Sequence, residues 1–292
     1  MQILVTNDDG IDAPGIGPLA RAVVAAGHDV VVAAPLDDRS GSSAALGRLH
    51  VDDTIVLEDR RLDGLAGTPC FGVEGPPALC VMAARLGGLG PLPDLVVSGI
   101  NPGPNTGRSV LHSGTVGAAL TAANFGISGL AVSMGVGEVY RWETAAELAM
   151  GALAWLLEQP AKTVVNLNVP NCRLEDVRGV RWATLAPFGT VRAALVGAQG
   201  GSGLQMELRE HDEQLPDDSD TALVNAGYAA VTLLRGITAA PASDVADAIE
   251  LTSLAGARAA NHRSVGAAPR SSGATTDRSA PAGPRAESGP HE

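Results

Sequence analysis

The chain has 292 residues, of which 45% are hydrophobic and 3% aromatic, and its formal net charge is −12. This length allows one large domain or two small ones, with enough apolar side chains for a sizeable core. The acidic balance argues against a protein that wraps duplex nucleic acid, because such binding depends on Lys and Arg neutralising phosphates. A small phosphorylated ligand remains open, since one bound metal ion can reverse the local field.

The cysteines and the N-terminal segment indicate the cellular compartment in which we expect the protein. Cys70, Cys80 and Cys172 are too few and too irregularly spaced for a disulfide framework or a zinc site, so we interpret them as reduced thiols. The apolar stretch at 3–5 is too short for a signal peptide, and no apolar run reaches the roughly 20 residues that span a bilayer. We therefore expect a soluble, cytoplasmic protein with no membrane partner.

The first 135 residues alternate strand and helix signals, and one more helix and strand follow before residue 170. Residues 2–6 (QILVT) favour a strand, and the apolar residues between Ile16 and Val24 recur at helical spacing. Further strands are predicted at 29–34, 94–98, 130–133 and 164–169, and further helices at 115–124 and 142–157. Strands that are apolar on both faces are typical of a parallel sheet covered on both sides. This order predicts an α/β fold with a doubly wound, mainly parallel sheet and helices on both faces.

The C-terminal third is different. Short strand candidates at 180–185, 206–208 and 227–234 stand between glycine-rich and acidic stretches, so we expect a hairpin-like excursion over about 175–240 that serves self-association. A helix is predicted at 244–260. The segment 262–292 is rich in Ser, Gly, Ala and Pro, a composition typical of disorder. We expect a single domain over 1–261 followed by a disordered tail.

Three polar clusters each follow a predicted strand directly. They lie at 7–10 (NDDG), 37–43 (DDRSGSS) and 99–105 (GINPGPN). In an open parallel sheet, ligands bind outside the carboxyl ends of the strands. Three clusters at that one edge predict a ligand site there.

Asp8 and Asp9 are the first candidates for chemistry. Two carboxylates held together need a cation or a shared proton. The other candidate partners, the Ser40 hydroxyl and the Asn101 carboxamide, also present oxygen, and an all-oxygen set suits Mg²⁺ or Mn²⁺ better than zinc. The plainer alternative is that both aspartates cap the turn and helix that follow.

Ser113 and Thr115 fall at the start of the predicted helix 115–124. Free amide groups at a helix N-terminus favour an anion, so hydroxyls and amides together could cradle a phosphate. The alternative is an ordinary N-cap. The sequence has no Walker motif and no GxGxxG after the first strand, which disfavours a mononucleotide kinase or a dinucleotide enzyme.

Four motifs follow one another along the chain: NDDGxxAPG at 7–15, APxxxRSG at 34–41, SGINxGxNxG at 98–107 and SGTVGAA at 113–119. Together they resemble the SurE family of metal-dependent nucleotidases, and weaker matches follow at 166–170 (NLNVP) and 219–232. The resemblance covers roughly residues 1–255. It implies a Rossmann-like core with a protruding β-hairpin and a homodimer or homotetramer. The implied activity is that of a 5′-nucleotidase, which hydrolyses nucleoside 5′- and 3′-monophosphates through a metal-activated water.

The resemblance also assigns site residues. It implies one divalent ion per subunit, Mg²⁺ or Mn²⁺, held by Asp8, Asp9, Ser40 and Asn101. It implies a phosphate site near Asn105, Gly114 and Thr115, to which the helix-start argument adds Ser113. We expect Asp8 or Asp9 to take the proton of the attacking water, and the residues leave the choice between them open.

Two departures from the family pattern lead us to expect an altered substrate-facing shell. Ala44 and Ala45 replace a polar pair, and Leu79 replaces an acidic residue. Two alternatives therefore stay open. One is a weakly catalytic or non-catalytic protein that binds a nucleotide or another metabolite on the same scaffold. The other is a phosphatase for another phosphomonoester or a short polyphosphate.

Overall fold

The computed structural model describes residues 1–47, 54–187, 191–197, 204–210, 215–239, 241 and 243–250. Its contacts divide the chain into two compact units, Met1–Thr238 and Ala239–Glu292. The first unit contains the sheet and every predicted site residue. The described part of the second contains one helix, Val245–Ile249, within the predicted 244–260. The predicted tail, 262–292, lies outside the described residues, so its disorder and the domain boundary stay predictions.

Eleven strands occur among the described residues. They are β1 Gln2–Thr6, β2 Asp29–Pro35, β3 Leu57–Asp59, β4 Cys70–Val73, β5 Leu95–Pro102, β6 Ser128–Met134, β7 Val164–Val169, β8 Val180–Trp182, β9 Val191–Gly197, β10 Leu204–Glu210 and β11 Ala229–Leu234. Nine form one sheet in the order β3-β4-β2-β1-β5-β6-β7-β11-β8. Neighbours from β4 to β7 run parallel, whereas β3 and β11 run antiparallel to β4 and β7. The predicted Rossmann-like, mainly parallel α/β sheet is confirmed.

Helices cover both faces of this sheet. In chain order they are α1 Ile16–Ala25, α2 Pro77–Arg85, α3 Gly114–Asn124, α4 Trp142–Leu156 and α5 Asp220–Asn225, with α6 Val245–Ile249 in the second unit. Ile3 and Val5 of β1 pack in the cluster that contains α1 and α4, while Leu4 packs in the cluster that contains α2 and α3. This alternation follows from the two-residue period of a strand. In the described part of the chain, none of the helices combines the length and apolar character that crossing a bilayer requires.

The excursion is shorter than the predicted 175–240. β9 and β10 pair antiparallel as a separate two-stranded sheet, as a hairpin should. However, β8 and β11 belong to the main sheet, where β11 pairs with both β7 and β8. The reason is apolar burial: Ala229 and Ala230 of β11 are fully buried, so this strand extends the core instead of leaving it.

Gly129 brings β6 against α3. A Cβ at this position would lie 2.4 Å from the backbone oxygen of Ala119. We expect Gly129→Ala to lower the free energy of unfolding by about 1–3 kcal/mol, the usual range for overpacking. The control is Gly151→Ala in α4, where an added Cβ meets nothing within 4 Å and alanine favours the helix by roughly 0.5–1 kcal/mol. Urea unfolding of both variants measures the difference, and a Gly129→Ala protein as stable as wild type would contradict this packing.

Candidate active site

The loops after β1 and β2 meet at the carboxyl edge of the sheet, next to the end of β5. The Arg39 amide donates to the Asp8 carbonyl at 2.7 Å, which joins the first two loops. Asn7 closes the turn after β1, because its side chain accepts from the Gly10 amide at 3.2 Å and donates to the Gly10 carbonyl at 2.9 Å. Gly10 has φ +110°, a conformation that favours glycine. Asn7 lies in the first polar cluster, but no local sequence pattern indicates this closing role.

The Asp8 carboxylate is buried at the N-terminus of α3. Its Oδ2 accepts from the Gly114 amide at 3.1 Å, and its Oδ1 accepts from the Thr115 hydroxyl at 2.5 Å. The positive end of the helix dipole favours the charged carboxylate at this place. The structure thus brings together three predicted site residues. The Gly114 amide and the Thr115 hydroxyl, which we expect to bind a phosphate, both donate to the Asp8 carboxylate.

Gly114 is required for this close approach. A Cβ there would lie 2.6 Å from the Asp8 Cβ and 2.8 Å from the Ser42 hydroxyl oxygen. Ser42 therefore lies beside the Asp8 carboxylate, and its buried Oγ has no hydrogen-bond partner among the described residues. Ser42 belongs to the second polar cluster, but the sequence does not single it out as a site residue. What identifies it is its contact with the start of α3, which exists only in the folded chain.

Asp9 has a different environment from Asp8. Its Oδ2 is buried and finds no hydrogen-bond partner in the described part of the chain. Burial, together with the nearby carboxylates of Asp8 and Asp38, raises the pKa of Asp9 to about 7. A buried carboxylate oxygen without a donor, close to another carboxylate, is stabilised by a bound cation.

Asn101 lies in the last residues of β5, after a register shift against β6 that begins at Ser98. Its Nδ2 donates to the Gly103 carbonyl at 2.6 Å, which fixes the orientation of the carboxamide. Its Oδ1 then lies 3.3 Å from the Thr115 hydroxyl. The amide oxygen is therefore on the side of Asp8, where a hard cation could use it.

Ser40 is engaged elsewhere. Its hydroxyl and its amide both donate to Asp38 Oδ1, at 2.6 and 2.7 Å, and these bonds lower the pKa of Asp38. Ser40 is exposed in the turn after β2. A hydroxyl ligand from Ser40 would have to leave Asp38, so its place in the ligand set stays a prediction.

Asn105 is held by two buried asparagines of β7. Its amide donates to Asn168 Oδ1 at 2.7 Å, and its carbonyl accepts from the side chains of Asn166 and Asn168 at 2.9 and 3.0 Å. Its own side chain donates to Ser133 at 2.8 Å. The asparagines of the NLNVP segment thus fix the loop after β5.

Asp220 fixes the same loop two residues further along, at Gly107. This fully buried carboxylate accepts from the amides of Gly107, Ala186 and Thr221 at 2.8 to 3.0 Å. Thr221 also donates to the Thr106 hydroxyl at 2.9 Å. Residues 219–232 match the family pattern in sequence. In the structure, Asp220 and Thr221 of this stretch anchor residues 106–107.

A family model described as "Survival protein SurE" matches residues 3–198. The chain belongs to the SurE family. A protein of Chloroflexus aggregans named "5'-nucleotidase SurE" is 38% identical over 239 residues, which cover 80% of this chain and 92% of the relative. A protein of the same name from Xanthomonas campestris pv. campestris (strain B100) is 43% identical over 183 residues, or 61% of this chain and 67% of that one. The crystal structure of the SurE protein from Aquifex aeolicus superposes with a TM-score of 0.70 at 28% identity and covers 86% of this chain and 99% of that chain.

The departures of this SurE-family chain from the family pattern lie in two different places. Leu79 is in α2, 3% exposed, and packs in the core cluster with Leu4 and Val31. The expectation that Leu79 alters a substrate-facing shell is therefore wrong, because its side chain serves the core. Ala44 and Ala45 are exposed on the loop that follows Ser42, so they remain candidates for that role.

Ser113 acts as the N-cap of α3. Its hydroxyl accepts from the Val116 amide at 3.1 Å, which is the plainer of the two roles considered for it. Its place in a phosphate site stays a prediction.

The donor set fits a hard divalent ion. No group of three or more His, Cys, Asp or Glu side chains is arranged to hold a metal within the described ranges. The set gathered here is of another kind, with two carboxylates and a carboxamide oxygen, and oxygen donors of this type suit Mg²⁺ or Mn²⁺. The unsatisfied Oδ2 of Asp9 is the observation that supports such an ion.

The raised pKa of Asp9 makes stability depend on pH. Folded Asp9 keeps its proton up to pH about 7, whereas an unfolded aspartate loses it near pH 4. Between these values the folded state binds more protons, so the free energy of unfolding falls as the pH rises. In EDTA we expect Asp9→Asn to raise the free energy of unfolding much more at pH 8 than at pH 5.

Urea unfolding at both pH values measures this difference. The control is Asp37→Asn, which neutralises an exposed carboxylate of the same region and should have a small effect at either pH. An equal effect of Asp9→Asn at pH 5 and pH 8 would contradict the environment described for Asp9.

Proposed function

We propose that this chain is a divalent-metal-dependent phosphomonoesterase that hydrolyses nucleoside 5′-monophosphates, and also 3′-monophosphates, to nucleoside and phosphate. The observation that carries the proposal is the asymmetric pair of carboxylates at the sheet edge. Asp8 is fixed by the start of α3, while Asp9 keeps a buried oxygen without a protein donor. The names of the two bacterial relatives, both 5′-nucleotidases, support the substrate class.

The proposed ligands of one Mg²⁺ or Mn²⁺ are oxygens of Asp8, Asp9, Asn101 and Ser40. When bound, the ion supplies Lewis-acid chemistry, which polarises a phosphoryl group and makes water more acidic. The protein contributes orientation: the Gly114 amide and the Thr115 hydroxyl hold Asp8, and the Gly103 carbonyl holds the Asn101 carboxamide. Preset donors of this kind need no rearrangement when the substrate arrives.

We assign the proton of the attacking water to the carboxylate of Asp9. Both oxygens of Asp8 already accept hydrogen bonds from α3, whereas Asp9 Oδ2 accepts none from the described residues. A carboxylate positioned beside the water can act as its general base. The structure thus favours one of the two aspartates that the sequence alone could not separate.

The phosphate is proposed to lie against the loop that contains Asn105 and the start of α3. The rigidity of this loop supports the assignment, because Asn166 and Asn168 hold it at Asn105 and Asp220 holds it at Gly107. We also propose that Ser113, Gly114 and Thr115 contact this phosphate. Assembly into a homodimer or homotetramer is a separate proposal.

Phosphate release tests the proposal directly. We expect release from nucleoside 5′- and 3′-monophosphates with Mg²⁺ or Mn²⁺ and none in EDTA. Asp8→Asn should lower kcat/KM by at least about 100-fold, since a fixed charged group at the reacting centre is lost. The control is Asp29→Asn, an exposed aspartate at the start of β2 and so at the opposite edge of the sheet.

Two outcomes would contradict the proposal. Release that persists in EDTA would exclude a required metal ion. A folded protein without release from any substrate would favour the binding-protein alternative, and release only from p-nitrophenyl phosphate or tripolyphosphate would favour another phosphatase.

Thr115 should act by holding Asp8 and Asn101 in place. Thr115→Val keeps the shape but removes the hydroxyl, so we expect kcat/KM to fall about 10- to 100-fold, as for groups that orient metal ligands. Thr115→Ser keeps the hydroxyl and should stay within a few-fold of wild type. Thr121→Val is the matched control, because the buried Thr121 hydroxyl donates to the helix carbonyl of Gly117 and bonds to no site residue among those described. Equal activity of Thr115→Val and Thr121→Val would argue against this role.

A further inference from the structure

A cavity of about 410 Å³ opens beside Asp9. Its walls come from the loop after β1, the loop after β2, the end of β5 and the start of α4. Asp9, Ile100 and Trp142 all line it. The volume is in the usual range for a small-molecule site, which is about 300–1,000 Å³.

Trp142 presents a fixed aromatic wall to this cavity. Its ring stacks on Tyr140, with ring centroids 4.7 Å apart and planes 13° apart. A Cβ on Gly15 would lie 3.1 Å from Trp142 Cζ3, so the indole also rests on the loop after β1. Both aromatic residues pack partly buried against the core. The indole is therefore held in place before any ligand binds.

Aromatic side chains are scarce in this protein, at 3% of residues, yet one of them lines the cavity that Asp9 shares and stacks on another. We propose that the cavity binds the nucleoside part of the substrate, with the base against the indole of Trp142. This inference rests on the proposed function, which puts the phosphate at the start of α3, where Asp8 lies next to Asp9 in the chain. A ligand whose phosphate lies there could extend its remaining part into the cavity that Asp9 lines.

Charge favours a neutral group in this cavity. Besides Asp9, its walls carry the carboxylates of Asp12, Asp37 and Asp38. Carboxylates accept hydrogen bonds from sugar hydroxyls and from the amino groups of bases, but they repel phosphate. The cavity therefore suits a sugar and base better than additional phosphate groups.

The test compares AMP with ribose 5-phosphate, which has the same phosphate and sugar but no base. Calorimetric titration in EDTA, where the proposed hydrolysis does not proceed, gives Kd for both ligands. We expect Trp142→Ala to raise Kd for AMP about tenfold, within the range of base–aromatic stacking, and Kd for ribose 5-phosphate less than twofold. Trp142→Phe keeps an aromatic face and should recover most of the affinity for AMP.

Trp155→Ala is the matched control, since Trp155 is also in α4 but lines a different, apolar groove. It should leave both Kd values unchanged. With metal present, kcat/KM for AMP should fall in Trp142→Ala by a similar factor, while that for ribose 5-phosphate should not.

Three results would overturn the inference: an equal change for both ligands, no change for AMP, or wild-type protein that binds AMP no better than ribose 5-phosphate. Binding separates this inference from the proposed function. If wild type releases no phosphate but Trp142→Ala still weakens AMP selectively, the proposed hydrolysis fails and the base site stands.

Discussion

The Asp8 carboxylate is buried at the N-terminus of α3, and the rest of the site is arranged around it. Its two oxygens are bonded to Gly114 and Thr115, which lie more than 100 residues further along the chain. This contact requires glycine at 114 and brings Ser42 close to the carboxylate. The adjacent Asp9 lacks such a donor at Oδ2 among the described residues, and its burial, together with the nearby carboxylates of Asp8 and Asp38, raises its pKa to about 7. One bound divalent ion would compensate the charge of both carboxylates.

Rigidity around the site comes from buried polar side chains of β7 and α5. Asn166 and Asn168 on β7 hold the backbone of Asn105, and Asp220 at the start of α5 holds Gly107. Their hydrogen bonds to the backbone fix one conformation of the loop after β5. β5 itself carries Asn101 toward Asp8. The proposed metal ligands, the loop after β5 and α3 are therefore held in place by one connected set of buried contacts.

Much of this arrangement follows from local patterns in the sequence. Apolar runs and polar interruptions predict the parallel sheet and its functional edge, and small residues after Ser113 predict α3 within one residue. Contacts between distant segments were not predictable. The partner of Thr115, the core position of Leu79 and the return of β11 to the main sheet all depend on how segments pack after folding. Trp142 gave no signal either, because its role comes from the cavity it faces.

Direct measurement of Mn²⁺ binding tests the central claim, that Asp8, Asp9 and Asn101 form a site for a divalent ion. Calorimetric titration at neutral pH should be carried out on wild type, Asp9→Asn, the double variant Asp8→Asn/Asp9→Asn and the exposed control Asp29→Asn. We expect one ion per chain in wild type and in the control, binding at least about tenfold weaker in Asp9→Asn, and none in the double variant. Unchanged affinity and stoichiometry in the double variant would contradict the site.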